Sequence, residues 1–421
     1  MKKKITFIGL ILVLSVFMTQ SCHKDLPSLD RTANGLVVSR SYNWKTPQYS
    51  GGPSMTGSYF MSPIYYNGNI AVPTIGEGKQ YMTLLDSDNG NILWKWSDLF
   101  QPDTEQIDIY YYYQQGNLLT YQKGNRSYCI NMDTGTTQWK FRRDMFFDVR
   151  IQKENDNYIS YAPIINTDGN SEQVAFKGNI NTGEISSFLS ANISSSYISP
   201  IGVGGIVYLN QLPDQEDLLL ITYAEPLPDW KVNSFFGLYN RQTGTWIWDR
   251  KLISPPTVNS SVFTPPQFCD NKIVANVGKK LVCHDIATGD QLWSKSFAQD
   301  FMFSGFVIAE GKIVANCEDG YTYGIDPATG TILWQTRSAG TSGRMSYLNG
   351  VVYFVGGSTG KLHAIDVASG RMLWAIDATN LGEGDDDFRE NGVYILPASS
   401  EHSDRVVALT YKNAYCFNAE R

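Results

Sequence analysis

Residues 325–334 read IDPATGTILW: the end of one strand at Asp326, a Pro-Ala-Thr-Gly turn, then an apolar strand carrying Trp334. The chain repeats this phrase as LDSDNGNILW (85–94), INMDTGTTQW (130–139), YNRQTGTWIW (239–248), HDIATGDQLW (284–293) and IDVASGRMLW (365–374), with a weaker copy, NINTGEISSF, at 179–188. Aligned on glycine, the seven turns fall at Gly90, Gly135, Gly183, Gly244, Gly289, Gly330 and Gly370. Four residues earlier stand Asp86, Asn131, Asn179, Asn240, Asp285, Asp326 and Asp366, always Asp or Asn. Four residues later stand Trp94, Trp139, Trp248, Trp293, Trp334 and Trp374, with Ser187 in the third copy.

Each position has a physical reason. An Asp or Asn heading a turn accepts hydrogen bonds from backbone amides two or three residues on, and glycine takes the positive φ that the turn requires. Tryptophan then buries a large surface while its indole N–H still seeks an acceptor. Successive glycines are 45, 48, 61, 45, 41 and 40 residues apart, the length of a four-stranded antiparallel propeller blade. Residues 311–336 parse as a strand KIVANC, a turn EDG, a strand YTYGID, the motif turn and an outer strand TILWQT, and residues 271–296 repeat the plan. Runs such as FMFSGFVIAE (301–310) are expected to supply the innermost, crowded strand.

At the C-terminus, KNAYCFNAER places Asn418 in the Asp/Asn slot without a tryptophan strand after it. Near the N-terminus, LVVSRSYNWKT supplies an unmatched strand with Trp44. The expectation is an all-β, eight-bladed β-propeller of four-stranded antiparallel blades over residues 36–421, its ring closed by pairing of the N- and C-terminal strands, which removes free sheet edges.

The D-x-x-T-G-x-x-x-W spacing resembles the pyrroloquinoline-quinone-type propeller repeat, shared by quinoprotein alcohol dehydrogenases and by BamB-like outer-membrane assembly lipoproteins. The resemblance runs from about Leu36 to the end, and it is specific for fold and unspecific for function. A WD40 pattern is not met, since Trp248-Asp249 is a single pair.

The opening MKKKITFIGLILVLSVFMTQSC joins three lysines to an apolar run too short to stay as a membrane span, which reads as a secretory signal over residues 1–21. Thr19-Gln20-Ser21-Cys22 resembles a lipobox, with Thr19 where leucine is usual; Cys22 is then the lipid attachment site and residues 22–35 a tether. An ordinary signal peptide with a cysteine nearby is the alternative. Formal net charge is -7, which makes nucleic acid and anionic lipid headgroups poor partners.

Chemistry is sparse. A quinoprotein enzyme would imply a quinone over the central channel, calcium, a catalytic aspartate and often a disulfide between adjacent cysteines, and this chain has no adjacent cysteines. Cys129, Cys283 and Cys416 lie two before an Asp/Asn slot and Cys317 aligns with Val277, the places of small buried hydrophobes; Cys269 is left open. His23, His284, His363 and His402 show no zinc-site spacing. Gly356-Gly357-Ser358-Thr359-Gly360 spells G-x-S-x-G, but a strand follows it where a hydrolase elbow needs a helix. No catalytic residue, cofactor or metal site is therefore expected.

Three irregular stretches remain. NQLPDQEDLLLITYAEPLPDWKVN (210–233) holds the excess of the longest interval and is the first interaction candidate, with Asp214, Glu216, Asp217 and Trp230. LGEGDDDFREN (381–391) could collect carboxylates around calcium but reads better as a solvated acidic loop. DIYYYYQQ (108–115) reads as a strand or an aromatic platform.

Function follows by analogy. The BamB-like resemblance implies a monomeric, non-catalytic scaffold on the periplasmic face of the outer membrane, held through lipid on Cys22 and binding an envelope protein such as an outer-membrane barrel. A ligand-binding lipoprotein for glycan or peptide beside an uptake system is the runner-up, and a quinone-dependent dehydrogenase the third reading.

Overall fold

A computed structural model describes residues 40–419 apart from 51–60, 103, 108, 110, 111, 155, 156, 166–170, 190–207, 213, 214, 227–230, 259–261, 263, 300, 302–304, 341, 342, 358, 383, 385 and 401. The chain divides into residues 1–37 and 38–421; the first unit, with Cys22 and the tether, lies outside the described residues. Regular structure among the described residues is β except for one 3₁₀ turn, Ala378–Leu381.

The last three motifs give the plainest sheets. Around the fifth motif, Gln267–Cys269, Lys272–Val277, Lys280–Asp285 and Gln291–Ser296 pair antiparallel in chain order. The sixth sheet repeats this with Phe306–Ala309, Lys312–Cys317, Tyr321–Ile325 and Ile332–Arg337. The seventh follows with Ser346–Leu348, Val351–Gly356, Lys361–Asp366 and Met372–Asp377. In each, the Asp-to-Trp motif is the turn between third and fourth strands, as the sequence parse has it.

Burial shows how these sheets stack. The second strands Lys272–Val277, Lys312–Cys317 and Val351–Gly356 are buried on both faces almost throughout, which requires a neighbouring sheet on each side. The first strands are only half-buried: all three residues of Gln267–Cys269 are intermediate, as are the middle two of Phe306–Ala309. This corrects the expectation that the first strand is the crowded one; the second strand is. The fourth strands of the fifth and sixth sheets alternate between exposed and half-buried residues, as a sheet's outer edge does, whereas Trp374, Ala375 and Ile376 of the seventh are buried. Numbered by motif, apolar clusters join the first sheet to the second, the fourth to the fifth, the fifth to the sixth, the sixth to the seventh, the seventh to the last and the last to the first, and a smaller cluster links the second motif to the third.

The last sheet carries no complete motif. Phe388–Leu396, Arg405–Thr410 and Asn413–Asn418 are joined at the outer edge by the N-terminal strand Trp44–Pro47, in register Trp44↔Cys416 to Pro47↔Asn413. The first sheet, Ile64–Tyr66, Asn69–Gly76, Lys79–Asp86 and Ile92–Trp96, also takes Tyr49–Ser50 as a short parallel strand.

Two places depart from separate four-stranded blades. The second and third motifs share one six-stranded sheet, because residues 136–147 of the long strand Thr136–Glu154 pair with Leu118–Asn131 and residues 148–154 pair with Asn157–Ile165. Seven sheets result among the described residues. The fourth sheet has lengthened strands, Gln215–Pro226, Lys231–Asn240 and Thr245–Val258, where the fifth to seventh use six or fewer. Pro255 and Pro256 sit in its fourth strand, where a missing N–H costs no ladder bond and discourages pairing with another chain.

Candidate functional site

The motif residues form a repeated fastening between sheets. Inside each turn the glycine N–H donates to the carbonyl of the Asp or Asn four residues earlier, at 2.8 Å in six copies and 3.0 Å at Gly244. The Asp or Asn side chain accepts from amides further along: Asp86 from Asp88 at 2.8 Å, Asn131 from Asp133 at 3.0 Å, Asn240 from Thr243 at 3.0 Å, Asp285 from Thr288 at 2.9 Å, Asp366 from Ser369 at 2.8 Å. Asp326 accepts from the Ala328 amide and the Thr329 hydroxyl, and these bonds hold its carboxyl below the ordinary range.

Each tryptophan acts on the next sheet. Its indole N–H reaches the carbonyl just after the following motif's Asp or Asn: Trp94 to Met132 at 2.9 Å, Trp139 to Ile180 at 2.7 Å, Trp248 to Ile286 at 2.9 Å, Trp293 to Pro327 at 3.0 Å, Trp334 to Val367 at 3.0 Å. The ring then lies on that motif's glycine. A Cβ at Gly330 would stand 2.8 Å from Trp293, and Gly135, Gly183, Gly289 and Gly370 are as tightly covered. Glycine is thus required twice, for φ near +70° and for this approach.

Three seams differ. Trp44 of the N-terminal strand serves the first motif, donating to Ser87 O at 2.8 Å and lying on Gly90; the unmatched strand supplies the missing tryptophan. The third motif has Ser187, and Gly244 meets only the Tyr239 hydroxyl, 3.6 Å from an added Cβ, among the described residues. Trp374 is buried, but its Nε1 has no hydrogen-bond partner among the described residues; the Arg40 guanidinium lies over the ring at 4.8 Å instead.

Much of the 210–233 stretch belongs to the lengthened fourth sheet: residues 218–226 pair with 232–240. Asp217 is exposed at the base, its carboxylate 4.0 Å from Arg241. Glu216 lies in the same strand, whereas Asp214 and Trp230 lie outside the described residues. Proline-rich spelling concealed the strands, because Pro213, Pro226 and Pro228 punctuate the segment.

A tyrosine group missed by sequence reading lies where first strands meet. Contacts at or just before neighbouring first strands run from Gly305 N to Gly343 O at 3.3 Å and from Arg344 N to Asn391 Oδ1 at 3.2 Å. Tyr65 of the first sheet stacks on Tyr394 of the last, centroids 6.1 Å apart and planes 5° from parallel. Burial pushes the Tyr394 phenol up to about 12, with Tyr112 and Tyr65 adding to the shift. The Tyr112 phenol is also raised by burial and opposed by nearby Arg344. Protonated phenols and a partly exposed ring face can donate hydrogen bonds and stack. Only their first-strand position marks them in the sequence. Within DIYYYYQQ, Tyr113 is buried in a strand and Tyr112 joins this group, while Asp108, Tyr110 and Tyr111 lie outside the described residues.

Other candidates resolve into structure. Cys129, Cys283, Cys317 and Cys416 are free and buried, each thiol pushed up to about 12 by burial; Cys269 is partly exposed. Burial lowers the His284 imidazole from its ordinary range, with Nδ1 3.0 Å from Gly289 O, and holds His363 down to about 4 against Phe354. His402 contacts Asp88 at 3.0 Å beside Arg405. The 356–360 turn leads into the strand Lys361–Asp366, with Gly360 N donating to Gly356 O at 2.8 Å. The acidic stretch is not simply solvated: Asp386 is buried, accepts from Tyr411 N at 3.1 Å, and its carboxyl is raised by burial. Among the described residues no group of three or more His, Cys, Asp and Glu could hold a metal ion.

Comparison with known proteins agrees with the repeat. Residues 236–421 match the family model described as "Outer membrane protein assembly factor BamB". A curated relative of that description from Shewanella oneidensis is 27% identical over 146 residues, covering 31% of this chain and 36% of the relative, so the aligned part is about a third of that protein's length. The solved BamB of Moraxella catarrhalis covers 86% of this chain and 94% of its own at 12% identity and TM-score 0.51. A europium-containing methanol dehydrogenase covers 87% of this chain and 84% of its own at 10% identity and TM-score 0.56. At these identities the solved structures speak for the fold alone. The repeat and these matches make the chain similar to PQQ-like propeller-repeat proteins. Within that class it is BamB-like over residues 236–421.

Proposed function

We propose that this chain is a non-catalytic, lipid-anchored propeller that serves as a protein-interaction scaffold in outer-membrane protein assembly, on the periplasmic face of the outer membrane. The observation that carries the reading is the match of residues 236–421 to the BamB assembly-factor model. The dehydrogenase neighbour shares the same fold, so fold does not decide between scaffold and enzyme. The repeated turns here are occupied by backbone hydrogen bonds and, at most seams, by the next sheet's contacts.

We read the architecture as eight blades in a closed ring. Support comes from seven motif turns plus the motif-less last sheet, from apolar clusters joining that sheet to both neighbours, and from the pairing of Trp44–Pro47 with Asn413–Asn418. Cys22 is the proposed lipid site, with residues 22–35 as tether and a barrel of the assembly machinery as partner. Crosslinking in intact native cells, followed by purification of the tagged protein and mass spectrometry, tests this. Recovery of an outer-membrane assembly barrel supports the scaffold. Recovery of an uptake channel instead, or of no envelope protein, overturns it.

A further inference from the structure

The N-terminal residues 40–50 touch three consecutive sheets. At their start, the Arg40 guanidinium lies 4.8 Å over Trp374 of the seventh sheet and donates to the Asn418 carbonyl of the last sheet at 3.0 Å. Asn43 follows, its side chain 2.8 Å from Asn418 Oδ1 and its N–H 2.7 Å from Cys416 O, and Tyr42 packs edge-on against Tyr415 at 5.3 Å. Trp44–Pro47 then runs as the outer strand of the last sheet while reaching the first: Trp44 bonds Ser87 O, and Thr46 Oγ1 bonds Gly90 O at 2.6 Å. Finally Gln48 donates its N–H to Lys412 O of the last sheet and accepts from Ile75 N of the first, both at 2.7 Å.

We infer that residues 40–50 form a releasable strap that couples the chain's N-terminal segment to the union of the last sheet with its two neighbours. Three features set the strap apart from an ordinary fourth strand. At the other fastened seams one tryptophan holds one neighbouring motif; here the seventh sheet's tryptophan has no acceptor among the described residues, and a residue from outside the motif covers it. The strap is also the part of the last sheet farthest from it in sequence, so no tight turn keeps it in place once its contacts break. It has a weak point after its strand: Gln48 is buried with neither side-chain amide atom bonded among the described residues. Any pull on residues before Arg40 therefore loads Arg40 and Trp374 first. Release of the strap would bare the edge of Asn413–Asn418 and uncover Gly90.

Hydrogen-exchange mass spectrometry on the full chain tests the strap. The comparison is wild type, Arg40→Ala, Arg40→Lys, and Lys95→Ala as a control that removes a cation over Tyr81 in the first sheet. In wild type, amides of 44–48 and 413–417 should exchange faster than those of 272–277 and 312–317. Arg40→Ala should speed the first two segments about tenfold and leave the others unchanged, with Arg40→Lys in between and Lys95→Ala without effect there. A uniform rise over all sheets, or none at 44–48, overturns the strap. If Arg40→Ala does not fold, the wild-type order decides: strap amides as slow as 272–277 refute it.

Discussion

The fastening of one sheet by the tryptophan of another can be measured as a coupling. At the fourth-to-fifth seam Trp248 is nearly buried, bonds Ile286 O at 2.9 Å, and covers Gly289, whose added Cβ would lie 2.8 Å from the indole and 2.6 Å from Lys251 Cγ. Trp248→Ala should cost about 3–5 kcal/mol, and Trp248→Phe, which keeps the ring but loses the N–H, about 1–2 kcal/mol. Gly289→Ala in the wild type meets two penalties. A φ of +71° costs an L-residue about 1–2 kcal/mol, and the clash with the indole adds about 1–3 kcal/mol. In the Trp248→Ala background the φ penalty remains together with the contact to the flexible Lys251 side chain, while the indole clash is gone, so the double mutant should be about 2 kcal/mol more stable than the sum of the singles predicts. Gly244→Ala serves as an internal comparison: it has the same positive φ, +68°, and no ring over it among the described residues, so it should carry the φ penalty alone. Urea midpoints followed by far-ultraviolet circular dichroism supply all five values. A coupling within about 0.5 kcal/mol of zero would refute the claim that ring and glycine form one contact.

His363 is held down to about 4 by burial, below its free value of about 6.5, so the unfolded chain binds its proton first. Its contribution is complete above about pH 6.5 and drains as pH falls toward 4, by about 2 kcal/mol at pH 5; His363→Gln should flatten the fall in urea midpoint between pH 7 and pH 5. Gln48→Met replaces a buried, unbonded amide by an apolar chain of like size and should raise the melting temperature, gaining about 1 kcal/mol. Thiol labelling of the native protein at pH 8 should reach Cys269 before Cys129, Cys283, Cys317 and Cys416, which should label only on unfolding.

Local chemistry made much of this fold legible. A turn needs an acceptor four residues before its glycine, and a blade needs a fixed length, so Asp326, Gly330 and Trp334 announce themselves in order. What escaped reading is contact between residues remote in sequence. Tyr65 and Tyr394 stack across the first and last sheets, and Arg40 covers Trp374; neither pair shares a spacing. The lengthened strands around 215–258 escaped for another reason, since proline punctuates loops in most contexts yet is tolerated at strand ends and outer edges, where Pro226 and Pro255 lie. Burial was misassigned between first and second strands because both are apolar in sequence. Only stacking of sheets on both sides distinguishes the second.

A fold built from repeated seams separates stability from recognition, and that separation can be tested on single residues. Residues such as Trp293 contact the next motif and should change the urea midpoint without choosing a partner. A partner must instead meet side chains that no seam consumes, and the fourth sheet offers them where its strands exceed the repeat. Asp217 stands exposed at the base of that extension, and the guanidinium of the largely buried Arg241 is 4.0 Å away, a separation at which a pair with a solvent-exposed partner contributes about 0–1 kcal/mol. Asp217→Lys should therefore leave the urea midpoint nearly unmoved. If the extension is the recognition surface, the same variant should lower crosslinked recovery of the envelope partner several-fold, whereas Trp293→Phe should lower the midpoint and leave recovery intact. Equal recovery from wild type and Asp217→Lys would remove the fourth-sheet extension from the interface and direct the search to the tyrosines where the first strands meet.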